Sequence, residues 1–585
     1  MPAPHDLVIR GGMVVDGSGG APREADVAVS NGRIAAVGEV AGRGAEEIDA
    51  KGLLVTPGFV DIHTHFDGQI TWSDTLSPCS DHGVTSVLMG NCGVGFAPCR
   101  PDRRHMLLEL MEGVEDIPGV VMQEGIPWNW ESFPEYLDAL EQRPCDVDFG
   151  AMVAHAPIRI HVMGRRGADR EPATAKDVAE MARIVGESVA AGAFGFSTTR
   201  SLNNRSRDGS LAPTVTAGED ELRAMACAMG ALGRGVMEMN DQFLDATANG
   251  SAEFDMMHRI VKASGRPLSF SVNQQRAAPD KWRHMLSFIE AANRDGAPIR
   301  AQVACRPVGV LLGLDLSLNP FVSCPSFRPL ADLPLAERVR ALREPSLKAR
   351  LLAEEPQDQN PFTLGLTHSV ADMFELSGPP PDYAPDYAPA AESSLGNRAR
   401  RLGITPHELA YDLMLQQDGR AILYYPATNY ANNNLDHVLV LLRHRHSVIG
   451  VGDGGAHLGM ICDASQPTHL LTYWTRDRHG ERMSVPEAIR ALTHDSAEAI
   501  GLGDRGLLKP GFKADINIID YDRLKLHAPQ PVYDLPTGAR RLLQKADGYV
   551  ATIVSGAVTY RHGESTGERP GRLLRGPRAA PRGIL

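Results

Sequence analysis

Two histidines separated by a single residue form the first pattern in the chain that could bind a metal ion. The segment Asp61-Ile62-His63-Thr64-His65 follows an apolar run at 56–60. Because side chains at positions i and i+2 of a strand point to the same face, His63 and His65 would project together from the end of a strand. Paired imidazoles at that spacing bind divalent metals such as zinc. The alternative for the motif by itself is an ordinary surface pair of histidines.

A cysteine and an aspartate end two other runs that have the apolar character of buried strands. Cys92 ends the run 84–92, and Asp453 ends the run 447–453 directly before two glycines. A thiolate is a good zinc ligand, and a carboxylate beside a metal-activated water can serve as a general base. The alternatives are an inert buried cysteine and a common turn aspartate.

Five further side chains near predicted strand ends are candidates for a substrate pocket. A guanidinium can hold a substrate carboxylate through two parallel hydrogen bonds, and Arg159 and Arg200 follow the β-like runs 149–156 and 193–199. A structural ion pair is the alternative for both arginines. Tyr425 precedes the β-like run 447–453 and would line this pocket or pack its rim. We also expect His155 and His457 to reach the pocket, with a packing role as the alternative.

Eight β-like runs separated by helical stretches would position these side chains. The runs are 58–65, 84–92, 149–156, 193–199, 235–240, 267–273, 299–306 and 447–453. Helical segments such as 175–191 and 219–232 lie between them. This alternation predicts an α/β fold, a (β/α)8 TIM-like barrel whose active site lies at the carboxyl ends of the strands. A doubly wound open sheet would give the same local pattern.

Both ends of the chain predict short antiparallel strands, so we expect one small composite β domain formed by both chain ends. Near the start, Gly11-Gly12 is expected to turn the chain back, and Asn31-Gly32 predicts a hairpin. The predicted organisation is residues 1–55 for the first part of the β domain, 56–505 for the barrel with an insertion at about 308–446, and 506–585 for the second part of the β domain and an extended tail. The proline-rich run at 377–389 predicts a loop or lid.

The composition is that of an ordinary acidic globular enzyme. The 585 residues include 59 Lys and Arg against 72 Asp and Glu, a formal net charge of −13, and 43% are hydrophobic. This balance argues against a nucleic-acid partner, and no apolar run approaches the roughly 20 residues of a membrane helix. Eight cysteines without a CxxC pair, and no signal peptide, predict a cytoplasmic protein with reduced thiols. The expected partner is a small-molecule substrate, and a homo-oligomer stays open.

Taken together, the motifs resemble the amidohydrolase superfamily. The segment 53–65, with its Pro57-Gly58 before the histidine pair, and the segment 506–515 are similar to the start and end of the superfamily barrel. Gly90-Asn91-Cys92-Gly93, with the segment 447–457, resembles the D-aminoacylase (N-acyl-D-amino-acid deacylase) branch. The likeness runs from about residue 6 to about residue 565. It implies a metal-dependent barrel in which water attacks an amide carbonyl.

The resemblance also implies the roles of individual residues. His63, His65 and Cys92 are implied as metal ligands. Asp453 is implied as the metal-linked general base and as a further ligand.

The sequence departs from the branch at the ends of the fifth and sixth strands, where two more ligand histidines are expected. Asn240 and Asn273 occupy these places, and we include both among the substrate-binding candidates. Glu238 shares a strand face with Asn240 and is a candidate replacement ligand, with an ion pair to an arginine as the alternative. We therefore expect one divalent ion, by preference zinc, with two ions or a metal-free relative as alternatives.

Three functions are compatible with these residues. The first is hydrolysis of a C–N amide bond in an N-acyl amino acid or similar small amide by metal-activated water. The second is hydrolysis of a cyclic amide or a carbamate. The third is non-catalytic binding of a small molecule. The retained histidine pair and Asp453 favour a hydrolase, because a binding protein has no need of that arrangement.

Overall fold

The computed structural model describes residues 5–240, 250–358, 360–377 and 384–581. Residues 378–383 of the proline-rich run predicted as a loop or lid lie outside these ranges. Within them, no helix combines the length and the apolar character needed to cross a bilayer.

Eight parallel strands form a closed barrel in the middle of the chain. Numbered 1 to 8, they are Phe59–Thr64, Val84–Met89, Asp148–Ala151 continued by Val153–Ala154, Gly195–Thr199, Val236–Asn240, Leu268–Ser271, Ile299–Val303 and Ser447–Ile449. Each strand pairs in parallel with the next. A parallel bridge from Thr64 to Gly454 closes the ring. The predicted barrel is therefore confirmed, and the open sheet is wrong.

The helices between these strands pack their apolar faces on the barrel. The helix Ala175–Ala191 has the predicted bounds, because the Thr174–Asp177 capping box starts it and Gly192, at φ +124°, ends it. The α-helices of this layer are Gln69–Trp72, Arg104–Glu115, Gly119–Gly125, Phe133–Glu141, His155–Met163, Arg165–Ala168, Ala175–Ala191, Glu219–Ala231, Ser251–Ser264, Lys281–Arg294, Asp436–Arg443, Gln466–His469, Val485–Arg490 and Ser496–Ala499, with π-helical turns at Leu470–Asp477 and Ala491–Asp495.

Both ends of the chain build one β sheet beside the barrel, as the sequence predicts. Its strands are His5–Val14, Arg23–Ser30, Arg33–Gly38, Gly44–Asp49, Leu54–Pro57, Ile516–Ile519, Tyr549–Val554, Ala557–Arg561 and Glu564–Ser565. The antiparallel pairing of Leu54–Pro57 with Ile516–Ile519 joins the two halves.

The expected turn at Gly11-Gly12 is wrong. His5–Val14 is one strand, and its register with Arg23–Ser30 shifts between Ile9 and Gly12. Gly11 has φ +60°, which lets an extra residue form a β-bulge without reversing the chain.

A long excursion between strands 7 and 8 has an apolar core of its own. Its strands are Gly309–Leu312, Phe374–Glu375 and Leu423–Pro426, and its α-helices are Leu335–Leu342, Pro345–Ala353, Pro361–His368, Leu395–Leu402 and Pro406–Met414. Val310, Leu366 and Leu423 are among the residues buried between them. This excursion stands over the carboxyl ends of the barrel strands, where it supplies one wall of the cavity described below.

The segment after the last strand of the β sheet runs along the amino-terminal end of the barrel. Leu573 bridges to Phe149 of strand 3, and Arg578 bridges to Leu502. Four short strands lie in the sequence between the sheet strands Ile516–Ile519 and Tyr549–Val554. They are Lys525–Leu526, Gln530–Val532, Arg541–Leu543 and Ala546–Asp547.

Candidate metal centre and catalytic cavity

The predicted histidine pair lies at the carboxyl end of strand 1 and is almost fully buried. The Nε2 atoms of His63 and His65 lie 3.3 Å and 3.7 Å from Oδ1 of Asp453. Asp453 is brought there by the segment after strand 8, whose backbone N–H at Asp453 donates to the His63 carbonyl over 3.0 Å. Three side chains from two distant segments therefore meet at one point.

Cys92 completes this group from the loop after strand 2. Its Sγ lies 3.3 Å from Nε2 of His63. The loop turns sharply, with Cys92 at φ +54° and Gly93 at φ +68°. A Cβ at position 93 would lie 2.7 Å from the Cα of Thr198 on strand 4, so only glycine fits. The glycine therefore allows the loop to pack against strand 4 with the thiol turned towards the histidines.

We call these four side chains the donor cluster: His63, His65, Cys92 and Asp453. Its members are the ligand types that zinc prefers. Neighbouring ligand atoms of a tetrahedral zinc site lie about 3.3–3.6 Å apart, from bond lengths of about 2.0–2.3 Å. The measured separations of 3.3, 3.3 and 3.7 Å are close to these values. The ligand atoms of His63, His65 and Cys92 all lie within 4.8 Å of one another, so these three residues fit one divalent ion. The Asp453 carboxylate lies beside the histidine pair.

The side chains at the ends of strands 5 and 6 do not add imidazoles to the cluster. Asn240 and Asn273 line the cavity with amide groups, and Asn240 Nδ2 lies 3.8 Å from the Cys92 sulfur. Glu238 is buried and accepts a 2.8 Å hydrogen bond from the Cys92 backbone N–H through Oε2. Its Oε1 has no hydrogen-bond partner in the described part of the chain. Glu238 thus supports the loop of Cys92 and keeps one free oxygen beside it.

Two side chains that the sequence analysis missed contact the outer nitrogens of the histidine pair. Gln302 of strand 7 lies with its Oε1 2.7 Å from Nδ1 of His63, and Ser269 holds the Gln302 amide group through a 2.9 Å hydrogen bond. Glu115 lies with Oε1 3.4 Å from Nδ1 of His65. In both histidines Nδ1 faces an acceptor, which leaves Nε2 directed into the donor cluster.

The electrostatics of the donor cluster suit a cation. Burial raises the pKa of the Cys92 thiol well above its usual range. Burial opposes protonation of His65, but Glu115 and Asp453 outweigh it and raise its pKa to about 9. Burial also opposes ionisation of Asp453, but the histidine pair outweighs it and keeps that pKa well below its usual range. A bound divalent cation would take the place of the protons on the thiol and the imidazole.

The donor cluster lies at the bottom of a cavity of about 290 Å³. Apolar side chains from strand ends, the helix Lys281–Arg294 and the excursion form much of its wall: Val272, Trp282, Met285, Val308, Val310, Leu318, Phe362, Met460 and Ile461. Among the predicted substrate residues, Asn240, Asn273 and His457 line this cavity. Lys281 is the one Lys or Arg among the lining side chains that the structure describes.

The other four substrate candidates lie outside the cavity lining. His155 and Arg159 both contact Glu221, with His155 Nε2 2.7 Å and Arg159 Nη1 2.6 Å from its carboxylate oxygens. Arg200 pairs with Glu253. Tyr425 packs against the core of the excursion. Both arginines therefore adopt the ion-pair alternative: Arg159 pairs with the buried Glu221 and Arg200 with the partly buried Glu253.

The missed residues differ in how well the sequence marks them. Gln302 is a polar side chain inside an apolar strand, which is a recognisable signal. Glu115 and Lys281 carry no such signal, because each lies at the end of a helix and not at the end of a strand.

Comparison with known proteins gives the family of this chain. The model of the amidohydrolase family (Amidohydro_3) matches residues 46–560. A D-aminoacylase of Alcaligenes xylosoxydans xylosoxydans is 25% identical over 98% of this chain and 98% of its own, and an N-acyl-D-aspartate deacylase of the same organism is 27% identical over 98% and 95%. The solved structure of N-acyl-D-glutamate deacylase from Bordetella bronchiseptica, complexed with zinc and a phosphonate inhibitor, shares the fold, with a TM-score of 0.65 and 23% identity over 98% of this chain and 100% of its own. Since the family model covers most of its length, this chain belongs to the amidohydrolase family.

Proposed function

We propose that this protein is a metal-dependent hydrolase that cleaves the C–N amide bond of an N-acyl amino acid. The observation that carries the proposal is the donor cluster, which lines one cavity. In it the ligand atoms of His63, His65 and Cys92 lie within 4.8 Å of one another, and the Asp453 carboxylate lies beside both histidines. We further propose that the cluster holds a single ion, by preference zinc, because Asn240 and Asn273 offer amides where a second ion would need stronger ligands. The names of the relatives support the choice of substrate class.

A divalent ion bound by the donor cluster would polarise the amide carbonyl and make water more acidic. The protein side chains move the protons. Asp453 lies at the cavity floor, where its carboxylate can accept a proton from the attacking water and pass it to the leaving nitrogen. The amides of Asn240 and Asn273 face the same space and can hydrogen-bond a substrate carbonyl or carboxylate. The apolar wall receives the uncharged part of the substrate.

The test combines metal analysis with a panel of substrates. We expect elemental mass spectrometry of the purified protein to find about one zinc or similar ion per chain, and we expect hydrolysis of N-acyl amino acids of one configuration. Asp453→Asn should retain the fold and lose turnover, because it removes the proton acceptor. His63→Ala combined with His65→Ala should lose the metal. Arg200→Met, outside the cavity, is the matched control and should keep both.

Two outcomes would contradict the proposal in different ways. A protein that takes up no divalent metal, even after reconstitution, would overturn the hydrolytic function. A metal-loaded protein that cleaves cyclic amides or carbamates and leaves linear N-acyl amino acids intact would keep the chemistry and overturn the substrate class.

A further inference from the structure

We propose that Glu115 is a positioning residue that holds the metal ligand His65 and the cavity residue His457 through one carboxylate. This inference rests on the proposed function. Glu115 is the last residue of the helix Arg104–Glu115 and is 1% exposed. Its Oε1 lies 3.4 Å from Nδ1 of His65, and its Oε2 lies 3.6 Å from Nε2 of His457. One buried negative charge therefore faces two imidazoles, one on each side.

The backbone fixes Glu115 in this place. The His457 N–H donates to the Glu115 carbonyl. The next residue, Asp116, has φ +52° and accepts hydrogen bonds from the Gly459 N–H at 2.9 Å and the Ser317 hydroxyl at 2.8 Å. The end of the helix is thus fastened to the loop that carries His457. That loop also begins with Asp453, so the helix end and the donor cluster form one connected unit.

The negative charge of Glu115 affects the proton position and the donor strength of the His65 imidazole. The two separations, 3.4 and 3.6 Å, are longer than a normal hydrogen bond, so the carboxylate acts on the imidazoles mainly through its charge. A negative charge beside Nδ1 keeps the proton on that atom and leaves Nε2 available as a ligand, and it also makes the imidazole a stronger donor. His63 has only the neutral amide of Gln302 in the equivalent place. His65 is therefore the ligand whose donor strength depends on a second charged residue.

The same carboxylate holds His457 at the cavity wall. His457 has φ +50°, and its side chain is 23% exposed. Glu115 Oε2 has no hydrogen-bond partner among the described residues although it is buried, so it is available to the His457 ring. The loss of Glu115 should therefore change two properties together: the affinity of the metal centre and the position of a substrate-facing imidazole.

The decisive variant is Glu115→Gln, which keeps the shape and removes the charge. We expect its zinc affinity, measured by competition with a chromogenic chelator, to fall about 10- to 100-fold, the usual effect of losing the outer partner of a ligand histidine. The visible absorption bands of the cobalt-substituted variant should shift, since the electronic environment of one ligand changes. The far-ultraviolet circular dichroism spectrum should stay as in the unmodified protein.

Glu112→Gln is the matched control on the same helix. Glu112 pairs with Arg207 at the surface, 3.2 Å away, and does not contact the donor cluster. It should retain the zinc affinity and the cobalt spectrum of the unmodified protein. His457→Gln should retain the zinc affinity as well, and should change only kcat or KM.

The outcomes separate the two proposals. An unmodified protein that binds no zinc would overturn the proposed metal centre itself. An unmodified protein that binds zinc, with the same affinity and cobalt spectrum in Glu115→Gln, would overturn only the role of Glu115. If Glu115→Gln fails to fold, Glu115→Asp replaces it. That variant moves the charge away from both imidazoles and should weaken zinc binding, and an unchanged affinity would again overturn the role.

Discussion

A substrate with an acidic side chain should have a much lower kcat/KM than one with an apolar side chain. The apolar wall holds Val272, Met285 and Phe362, and Lys281 is the one described Lys or Arg that lines it. The internal segments 241–249 and 378–383 contain neither residue type in their sequence. A second substrate carboxylate placed against the apolar wall would therefore have no further Lys or Arg beside it among the described lining residues.

The expected loss in kcat/KM follows from the free-energy cost of placing a carboxylate against an apolar wall. It can bind as the neutral acid, and each unit between its pKa and the pH of the solution then costs about 1.36 kcal/mol. For a glutamate side chain with a pKa of about 4.3 at pH 7, the cost is about 3.7 kcal/mol. This corresponds to a loss of about 500-fold in kcat/KM relative to an apolar side chain of similar size.

The assay compares N-acetyl-leucine with N-acetyl-glutamate, in the configuration that the enzyme hydrolyses. Both share the carboxylate next to the amide, so its contribution cancels in the ratio of kcat/KM values. N-acetyl-glutamine controls for size and polarity without a charge. Because lowering the pH protonates the glutamate side chain in solution, the ratio should fall about tenfold between pH 7 and pH 6. A glutamate derivative cleaved within tenfold of leucine at pH 7, or a ratio that does not change with pH, would refute the reasoning.

Three further predictions concern the metal centre, the buried pair of Arg306 and Asp463, and Arg200. At pH 7 zinc binding should release about two protons, from the Cys92 thiol and the His65 imidazolium, because both pKa values lie above 7. Calorimetry in buffers of different ionisation enthalpy measures the number of protons released. A release near zero would contradict these protonation states. Arg306→Met should lower the free energy of unfolding by about 3–5 kcal/mol, since it leaves Asp463 buried without its partner at 3.1 Å. The double variant Arg306→Met with Asp463→Leu should recover most of that loss in urea denaturation, and equal losses would argue against a charge effect. Arg200→Met should leave KM within about twofold for every hydrolysed N-acyl amino acid, because Arg200 pairs with Glu253 outside the cavity. A large rise in KM would instead indicate that Arg200 binds the substrate.

The barrel could be predicted closely because short β-like runs alternate with helical segments through the middle of the chain. All six residues of Val84–Met89 are buried, for example, and the predicted run begins at the same residue. The donor cluster could be predicted for the same reason, since its members sit at the ends of such runs and strand ends on one face of a barrel converge.

The rest of the site depends on side-chain directions and distant contacts, which local patterns do not specify. Arg159 and Arg200 follow strand ends, as predicted, but each pairs with a nearby carboxylate, and for the buried Arg159 a close opposite charge offsets the cost of burial. Glu115 reaches the site from a helix in the loop between strands 2 and 3, and His457 reaches it from the segment after strand 8. Their contact is set by the packing of two loops, and neither loop has a periodic pattern that would reveal it.

The composite β sheet has a consequence for how the protein is made. The strand Leu54–Pro57 leaves the ribosome about 460 residues before its partner Ile516–Ile519. At about 5–20 residues per second, the early strand waits roughly 20–90 s with one edge unpaired. During that time its apolar side chains and open hydrogen-bonding groups are exposed to other chains. The barrel strands can pair before this sheet is complete, so Leu54–Pro57 is synthesised early and reaches its final surroundings late. A chaperone that covers this strand during synthesis would protect the chain from aggregation.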